Sequence, residues 1–290
     1  MFHLAGPGQV ARKVMDYPST KVALAALAFD RSARTLAIVS LYAPEPRQQR
    51  VHLIDLANLS ARSFPQSTQG SGSGFAGQTR AVAFSWDDQL LTAGEGGLRQ
   101  WDLVTGSSRT LAGGEGSFAT FAIGASGRRL VAVLGRNFDN LQTITDSELR
   151  LLDLTTQEQS AIPAHGDQLT LALATDPAVE IVVTGDASGV VRVGPVRGGE
   201  PHLLPGHAGA VLRVAVSPDR RWIASASGAE VRLWPMPDLA RPPFHTLEHA
   251  ELLARLRSLT NLEVVADPAA ATGYRVAIGP FQGWKDVPRW

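Results

Sequence analysis

Val211–Trp234, VLRVAVSPDRRWIASASGAEVRLW, is the stretch on which the reading of this chain turns. A Gly206-His207 pair precedes it, and Val211, Val214 and Val216 then place apolar residues in a short segment that stops at Ser217-Pro218-Asp219. Trp222, Ile223 and Ala224 resume the pattern, Ser225 to Gly228 interrupt it with small residues, and Val231, Leu233 and Trp234 complete a third segment. Period-2 apolarity between Pro/Asp and Gly/Ser punctuation is the signature of strands, so the stretch predicts an antiparallel meander.

The unit repeats. Ser217, which heads the turn before the middle strand, has counterparts at Asp30 (AFDRSARTLAI), Ser85 (AFSWDDQLLTA), Gly124 (AIGASGRRLVAV) and Thr175 (LATDPAVEIVVTG). The third segment recurs as VHLIDL, LRQWDL, LRLLDL, VRVGPV and VRLWPM, which makes five copies. Their spacing of roughly 40 to 55 residues matches a propeller repeat carrying insertions. Gly-His, strand, Ser-Pro-Asp turn, strand, Ala-Ser-x-Ser and a strand ending on an aromatic together resemble a WD-repeat blade. The Trp-Asp pair survives once, at Trp101-Asp102, and the family's set of His, Ser or Thr, Asp and Trp is expected to be complete in no copy. His207, Ser225 and Trp234 match three of its positions in the last copy, with Gly228 near the acid. In the fourth, His165 and Thr184 match, while Ser188 stands for the acid and Gly194 for the Trp.

The resemblance implies an all-β, WD-repeat-type β-propeller over residues 1–247, with four strands to each blade. About seven blades are usual in that family, so five copies leave two arrangements open. Either the chain is the back part of a seven-bladed propeller, or the outer strand expected at Met1–Leu4 completes a blade begun by the C-terminal part; residues 1–20 should not build a blade alone.

From Glu248 the period changes. Leu252, Leu253, Leu256 and Leu259 carry helical spacing, and LEVVAD and TGYRVAIGPF read as two strands around Pro268. Residues 248–290 are therefore expected to form a helix-hairpin extension packed on the propeller, with Tyr274, Val276, Ile278, Phe281, Trp284 and Trp290 buried as a clamp. The segment from His245 through GYRVAIGPFQGW resembles the C-terminal extension of bacterial WD-repeat proteins linked to serine/threonine kinases. That resemblance implies a place in bacterial signalling and a kinase-linked partner system.

Composition narrows the chemistry. With 27 basic and 27 acidic residues, the chain shows no footprint for nucleic acid or an anionic membrane. It has no cysteine, which removes disulfides and thiol chemistry and fits a reducing cytoplasm. No apolar run of about 18 residues spans a membrane. Gly72-Ser-Gly74-Phe-Ala-Gly77 is a literal GxGxxG, but a strand follows it instead of a helix, so it reads as a loop. His245 and His249 have metal-compatible spacing without a third ligand, and read as an exposed helix start. His165 and His207 recur at one repeat position, which marks a structural role for both, as for Ser225, Trp101, Asp102 and Trp234. No GxSxG, Walker, HRD or DFG motif is present, and no cofactor is expected. The expectation is a non-catalytic scaffold or sensor for a protein or peptide. Its alternative is a propeller hydrolase or lactonase, disfavoured because first-strand positions near the channel are mostly Ala, Val and Leu.

Insertions mark the binding face: Tyr42–Arg50, Pro65–Gln78 and Gly135–Asp146 should gather on one rim, with Tyr42, Arg47, Arg50, Arg136 and Phe138 as anchors.

Overall fold

The computed structural model describes residues 22–42, 48–65, 79–94, 97–113, 118–138, 144–163, 165, 169–228, 230–259, 262–270 and 272–278. Each repeat forms an antiparallel meander. The first sheet is β1 (Val22–Phe29), β2 (Thr35–Tyr42), β3 (Gln48–Asp55) and β4 (Ala61–Pro65), hydrogen-bonded in that order. The second is β5 (Thr79–Phe84), β6 (Leu90–Gly94), β7 (Gly97–Trp101) and β8 (Ser108–Ala112). The third is β9 (Phe118–Ile123), β10 (Arg129–Phe138), β11 (Ile144–Asp153) and β12 (Gln159–Ala161). The fourth is β13 (Thr170–Thr175), β14 (Ile181–Asp186), β15 (Val190–Pro195) and β16 (His202–Pro205). The fifth has three strands among the described residues, β17 (Arg213–Val216), β18 (Trp222–Ala226) and β19 (Val231–Pro235), where the repeat predicts four. This is an all-β, propeller-type fold. It divides into two compact units, Met1–Glu148 with Leu152–Glu158, and Leu149–Leu151 with Gln159–Trp290.

One turn geometry recurs between the first and second strands. The carbonyls of Asp30, Ser85, Gly124, Asp176 and Ser217 accept the amide N–H three residues on, at 2.9–3.1 Å. That third residue has positive φ in every copy: Ala33, Asp88, Gly127, Val179 and Arg220. Asp176, not Thr175, therefore heads the fourth turn, one residue later than the sequence alignment places it. The side chain explains the shift, because Asp176 accepts the N–H groups of Glu180 and Ile181, each at 2.7 Å. Asp30 Oδ1 does the same for Arg34 and Thr35, and Ser217 Oγ for Arg221 and Trp222. Thr175 instead donates to Ile181 O at 2.8 Å.

After the third strand, Asp55, Asp102 and Asp153 present Oδ1 to the amide two residues on, at 2.8–2.9 Å. Such Asx turns are why an acid ends those three strands. At Asp102, the N–H groups of Thr105 and Val104 hold the carboxyl below its ordinary range.

Because strand side chains alternate, each sheet has two faces, and within each unit consecutive sheets pack face to face. In the first unit, Ala37, Val39, Val51 and Leu53 of the first sheet pack against Phe84, Leu90 and Trp101 of the second. Leu91, Ala93 and Leu98 of the second pack against Phe121, Leu130, Leu134 and Leu152 of the third. In the second unit, Ile181, Val183, Val191 and Val193 of the fourth sheet meet Val211, Ile223, Val216 and Trp234 in and beside the fifth. Burying each such side chain is worth about 1.5–3 kcal/mol, so the stacked faces carry the stability that no single sheet could supply.

The tail forms helix α1 (His249–Leu259) and a hairpin of β20 (Leu262–Ala266) and β21 (Tyr274–Ile278). Register puts Val264 opposite Val276 and Ala266 opposite Tyr274. Val264, Tyr274, Val276 and Ile278 are exposed, which corrects the burial expected of Tyr274, Val276 and Ile278. The half-buried positions, Val265 and Ala277, lie on the opposite face of the hairpin, and a two-stranded ribbon covered on that side leaves its other side open. Phe281, Trp284 and Trp290 lie outside the described residues.

Candidate functional site

Two kinds of residue compete for a functional role: the recurrent polar residues inside the sheets and the residues of the long hairpins. The polar set is hydrogen-bonded within each sheet where it is found. Trp101 on β7 donates its Nε1–H to Thr92 Oγ1 on β6 at 2.8 Å, and both are buried. The fifth sheet repeats this pairing, with Trp234 Nε1 2.8 Å from Ser225 Oγ. Ser225 Oγ also lies 2.7 Å from His207 Nε2, and His207 Nδ1 lies 2.9 Å from Glu230 Oε1.

Donors and acceptors fix the direction of this chain. The Glu230 carboxylate can only accept, so Nδ1–H donates to it; with the single ring proton there, Nε2 accepts the Ser225 hydroxyl, whose oxygen accepts the Trp234 N–H. Arg232 closes the end, its Nε and Nη2 lying 3.0 and 3.1 Å from the two oxygens of Glu230. The Arg232 bond, with a smaller contribution from His207, outweighs desolvation and holds the Glu230 carboxyl below its usual range. Glu230 thus completes the set that sequence spacing left incomplete, and Gly228 is not its acid position.

The fourth sheet carries the degenerate version. His165 Nδ1 is 3.1 Å from Thr184 Oγ1, as its repeat position predicts, while Nε2 is buried without a hydrogen-bond partner among the described residues. Gly194 stands where the Trp would be, and a methyl added there would lie 3.0 Å from Nε2. Burial, reinforced by the positive charge of Arg192, lowers the His165 pKa to about 4, so the ring is neutral. The acid of this sheet is Asp186, which accepts from Ser188 N–H and Oγ, from Val190 N–H at 3.0 Å and from Arg192 Nη1. Desolvation alone would raise its carboxyl, yet the Arg192 and Ser188 bonds together hold it low. Ser188 serves this acid instead of replacing it.

Neighbouring turns are tied in the same spirit. Arg220 reaches back from the fifth sheet to Asp176 Oδ2 at 2.6 Å and Glu180 Oε2 at 2.8 Å in the fourth. Sequence reading missed Asp176, Asp186, Glu230 and Arg220; the signal that could have found them is an acid two to five residues from a turn, facing an Arg or a row of amides.

Other motifs resolve simply. His245 and His249 are exposed, at a 3-10 turn and at the start of α1. Among the described residues, no group of three or more His, Cys, Asp or Glu is placed to hold a metal ion. No helix there is long and apolar enough to cross a membrane. Asn58 Oδ1 accepts Ser60 N–H within the turn between β3 and β4.

The binding anchors fall on two hairpins of the first unit. Tyr42 ends β2, paired with Gln48, and Arg50 on β3 pairs with Ser40. Arg136 and Phe138 lie in the last three residues of β10. All four sit where a second strand turns into a third, whereas Arg47, the 66–78 insertion and the GxGxxG lie outside the described residues.

A family model for the WD domain, G-beta repeat, matches residues 198–235. No curated protein matches the chain. The matched segment begins before β16 and ends with β19, so it covers the described strands of the fifth sheet and all four residues of the Trp234–Ser225–His207–Glu230 relay. That match and the succession of meander sheets in the same register support a WD-repeat protein.

Proposed function

We propose that this chain is a non-catalytic interaction platform that binds a protein or peptide at the tips of the β2–β3 and β10–β11 hairpins. The carrying observation is strand length. β10 and β11 run ten residues each and β2 and β3 eight, where β6 and β7 of the intervening sheet run five. Two hairpins extended at the same end of their sheets offer edges and side chains that the stacking of sheets does not use. WD repeats generally mediate protein–protein interaction, whereas the polar sets described above are engaged within their own sheets or with a neighbouring turn.

Tyr42, Arg47, Arg50, Arg136 and Phe138 are the anchors in this reading, since Tyr and Arg dominate interface energetics. Residues 1–247 form the platform in this reading, and residues 248–290 a helix-hairpin extension packed on it. The tail's resemblance to kinase-linked WD-repeat proteins supports a role in bacterial cytoplasmic signalling. The test is quantitative affinity capture from the source cell with the five anchors changed to Ala. Loss of the captured partners with an unchanged melting temperature supports the reading; full recovery moves the site elsewhere.

A further inference from the structure

A basic residue recurs in the third strands as Arg99, Arg192 and Arg232, each opposite the repeat hydroxyl of its own sheet, Thr92, Thr184 and Ser225. In the fourth and fifth sheets a carboxylate holds that guanidinium. Arg192 bonds Asp186, two residues after Thr184, and Arg232 lies 3.0 and 3.1 Å from the oxygens of Glu230, two residues before it. In the second sheet both acid positions are glycine, Gly94 two residues after Thr92 and Gly97 two residues before Arg99. A methyl added to Gly97, whose φ is +89°, would lie 2.3 Å from the carbonyl oxygen of Ala112, so the backbone leaves no room for an acidic side chain there.

Arg99 is half-buried, its Nε is buried without a hydrogen-bond partner, and among the described residues no acid pairs with it. Withdrawing part of a guanidinium from water without a counter-charge costs stability, whereas a carboxylate brought to it makes two charge-assisted bonds with one planar fork. Arg99 shares the face of β7 with Trp101, which packs on the first sheet, while Leu98 packs on the third. It lies near the second-to-third-strand end of the short sheet that stacks between the two sheets with long hairpins: β6 and β7 run five residues each, β2 and β3 eight, β10 and β11 ten.

We propose that Arg99 is a carboxylate-binding site that takes an acidic side chain of the protein or peptide bound at the hairpin tips. The chemistry of the ligand follows from the register, because a carboxylate is what the equivalent guanidinium holds in both the fourth and the fifth sheet. The difference is its source: those two sheets supply the acid from their own strands, and the second receives it from outside. The inference rests on the platform reading for where the carboxylate comes from. Its titration needs no partner, so it can fail with the hairpin anchors standing, or succeed with them overturned.

The full-length wild-type chain tests it by titration with N-acetyl-glutamate N-methylamide, followed at the NMR signal of the Arg99 Nε–H, which is assigned by its loss in Arg99→Met. The signal is expected to shift saturably with this probe and to stay in place with the matching glutamine derivative. Arg99→Met, which keeps the apolar stem and removes an unpaired charge, should melt no lower than wild type, whereas Arg192→Met, which strands the buried Asp186, should melt lower. No shift with the glutamate probe overturns the proposal, and so does a shift with inorganic phosphate alone, which would make the site a phosphate site. Glu95, in the turn between β6 and β7, lies outside the described residues. A shift that appears only in Glu95→Gln would mean that the sheet supplies its own acid after all, and overturns the proposal as well. An Arg99→Met chain that melts as low as Arg192→Met would show that Arg99 serves the fold instead of a ligand.

Discussion

Glu230 Oε1 lies 2.9 Å from Nδ1 of His207, 23 residues away along the chain. The contact sets the tautomer of a buried ring and lets one hydroxyl, that of Ser225, serve two partners at once. Ser225→Ala should therefore strand the Trp234 N–H and His207 Nε2 together. Leaving a buried polar group unsatisfied costs about 1–3 kcal/mol, so the loss on urea unfolding should fall in or above that range. A double-mutant cycle with Trp234→Phe should show coupling of about 0.5 kcal/mol or more, whereas additive losses would mean that the bonds act separately.

Asp176 heads its turn from a fully buried position and accepts the amides of Glu180 and Ile181 as well as pairing with Arg220. Asp176→Ala should cost about 2 kcal/mol or more, and Asp176→Asn, which keeps one acceptor oxygen, markedly less. Equal losses in the two variants would show that charge, and not the amide bonds, is what the turn needs.

His165 gives the fold an acid-sensitive term. Its folded-state pKa is about 4, against an ordinary value of 6.5, so between those values the unfolded chain binds a proton that the folded chain does not. The stability this group maintains is full above pH 6.5 and is lost as pH falls toward 4. Between pH 7.5 and 5.5, wild type should lose roughly 1 kcal/mol more than His165→Gln in urea titrations. Parallel losses would place the pH dependence elsewhere.

Gly189, with φ of +90°, passes 2.5 Å (measured from an ideal methyl) from the carbonyl oxygen of His207. An added methyl would meet backbone in a conformation that disfavours any side chain, so Gly189→Ala should destabilise by about 1–3 kcal/mol, read as a lower urea midpoint. Gly228, with nothing within 4 Å of such a methyl, is the control, and Gly228→Ala should leave the midpoint nearly unchanged.

The sheets were legible because their information is local. Strand alternation around Val211–Trp234 and a turn former every repeat fixed the meanders, and the recurrence of Trp101, His165, Thr184, His207, Ser225 and Trp234 marked the pairs that form. Errors arose where a choice depended on geometry across the turn. Thr175 and Asp176 both suit a turn, and only the reach to the amides of Glu180 and Ile181 separates them. Glu230 sits outside the family spacing, so register rather than motif brings it to His207. In the tail, apolar composition announced that Tyr274, Val276 and Ile278 want a partner surface, but composition carries no direction, and these residues face outward. The candidate site was legible only as insertions: strand lengths show which hairpins are long, while side-chain roles at their tips are chemical argument.

The most direct test of the platform reading is site-specific photo-crosslinking in the source cell. A photoreactive residue replaces Tyr42 at the end of β2 in one version, and Val104 in the turn after β7 in another. Val104 is exposed and far along its sheet from the second-to-third-strand turn. The account predicts a discrete crosslinked protein species from position 42 and none from position 104. The same species from position 104 alone would contradict it.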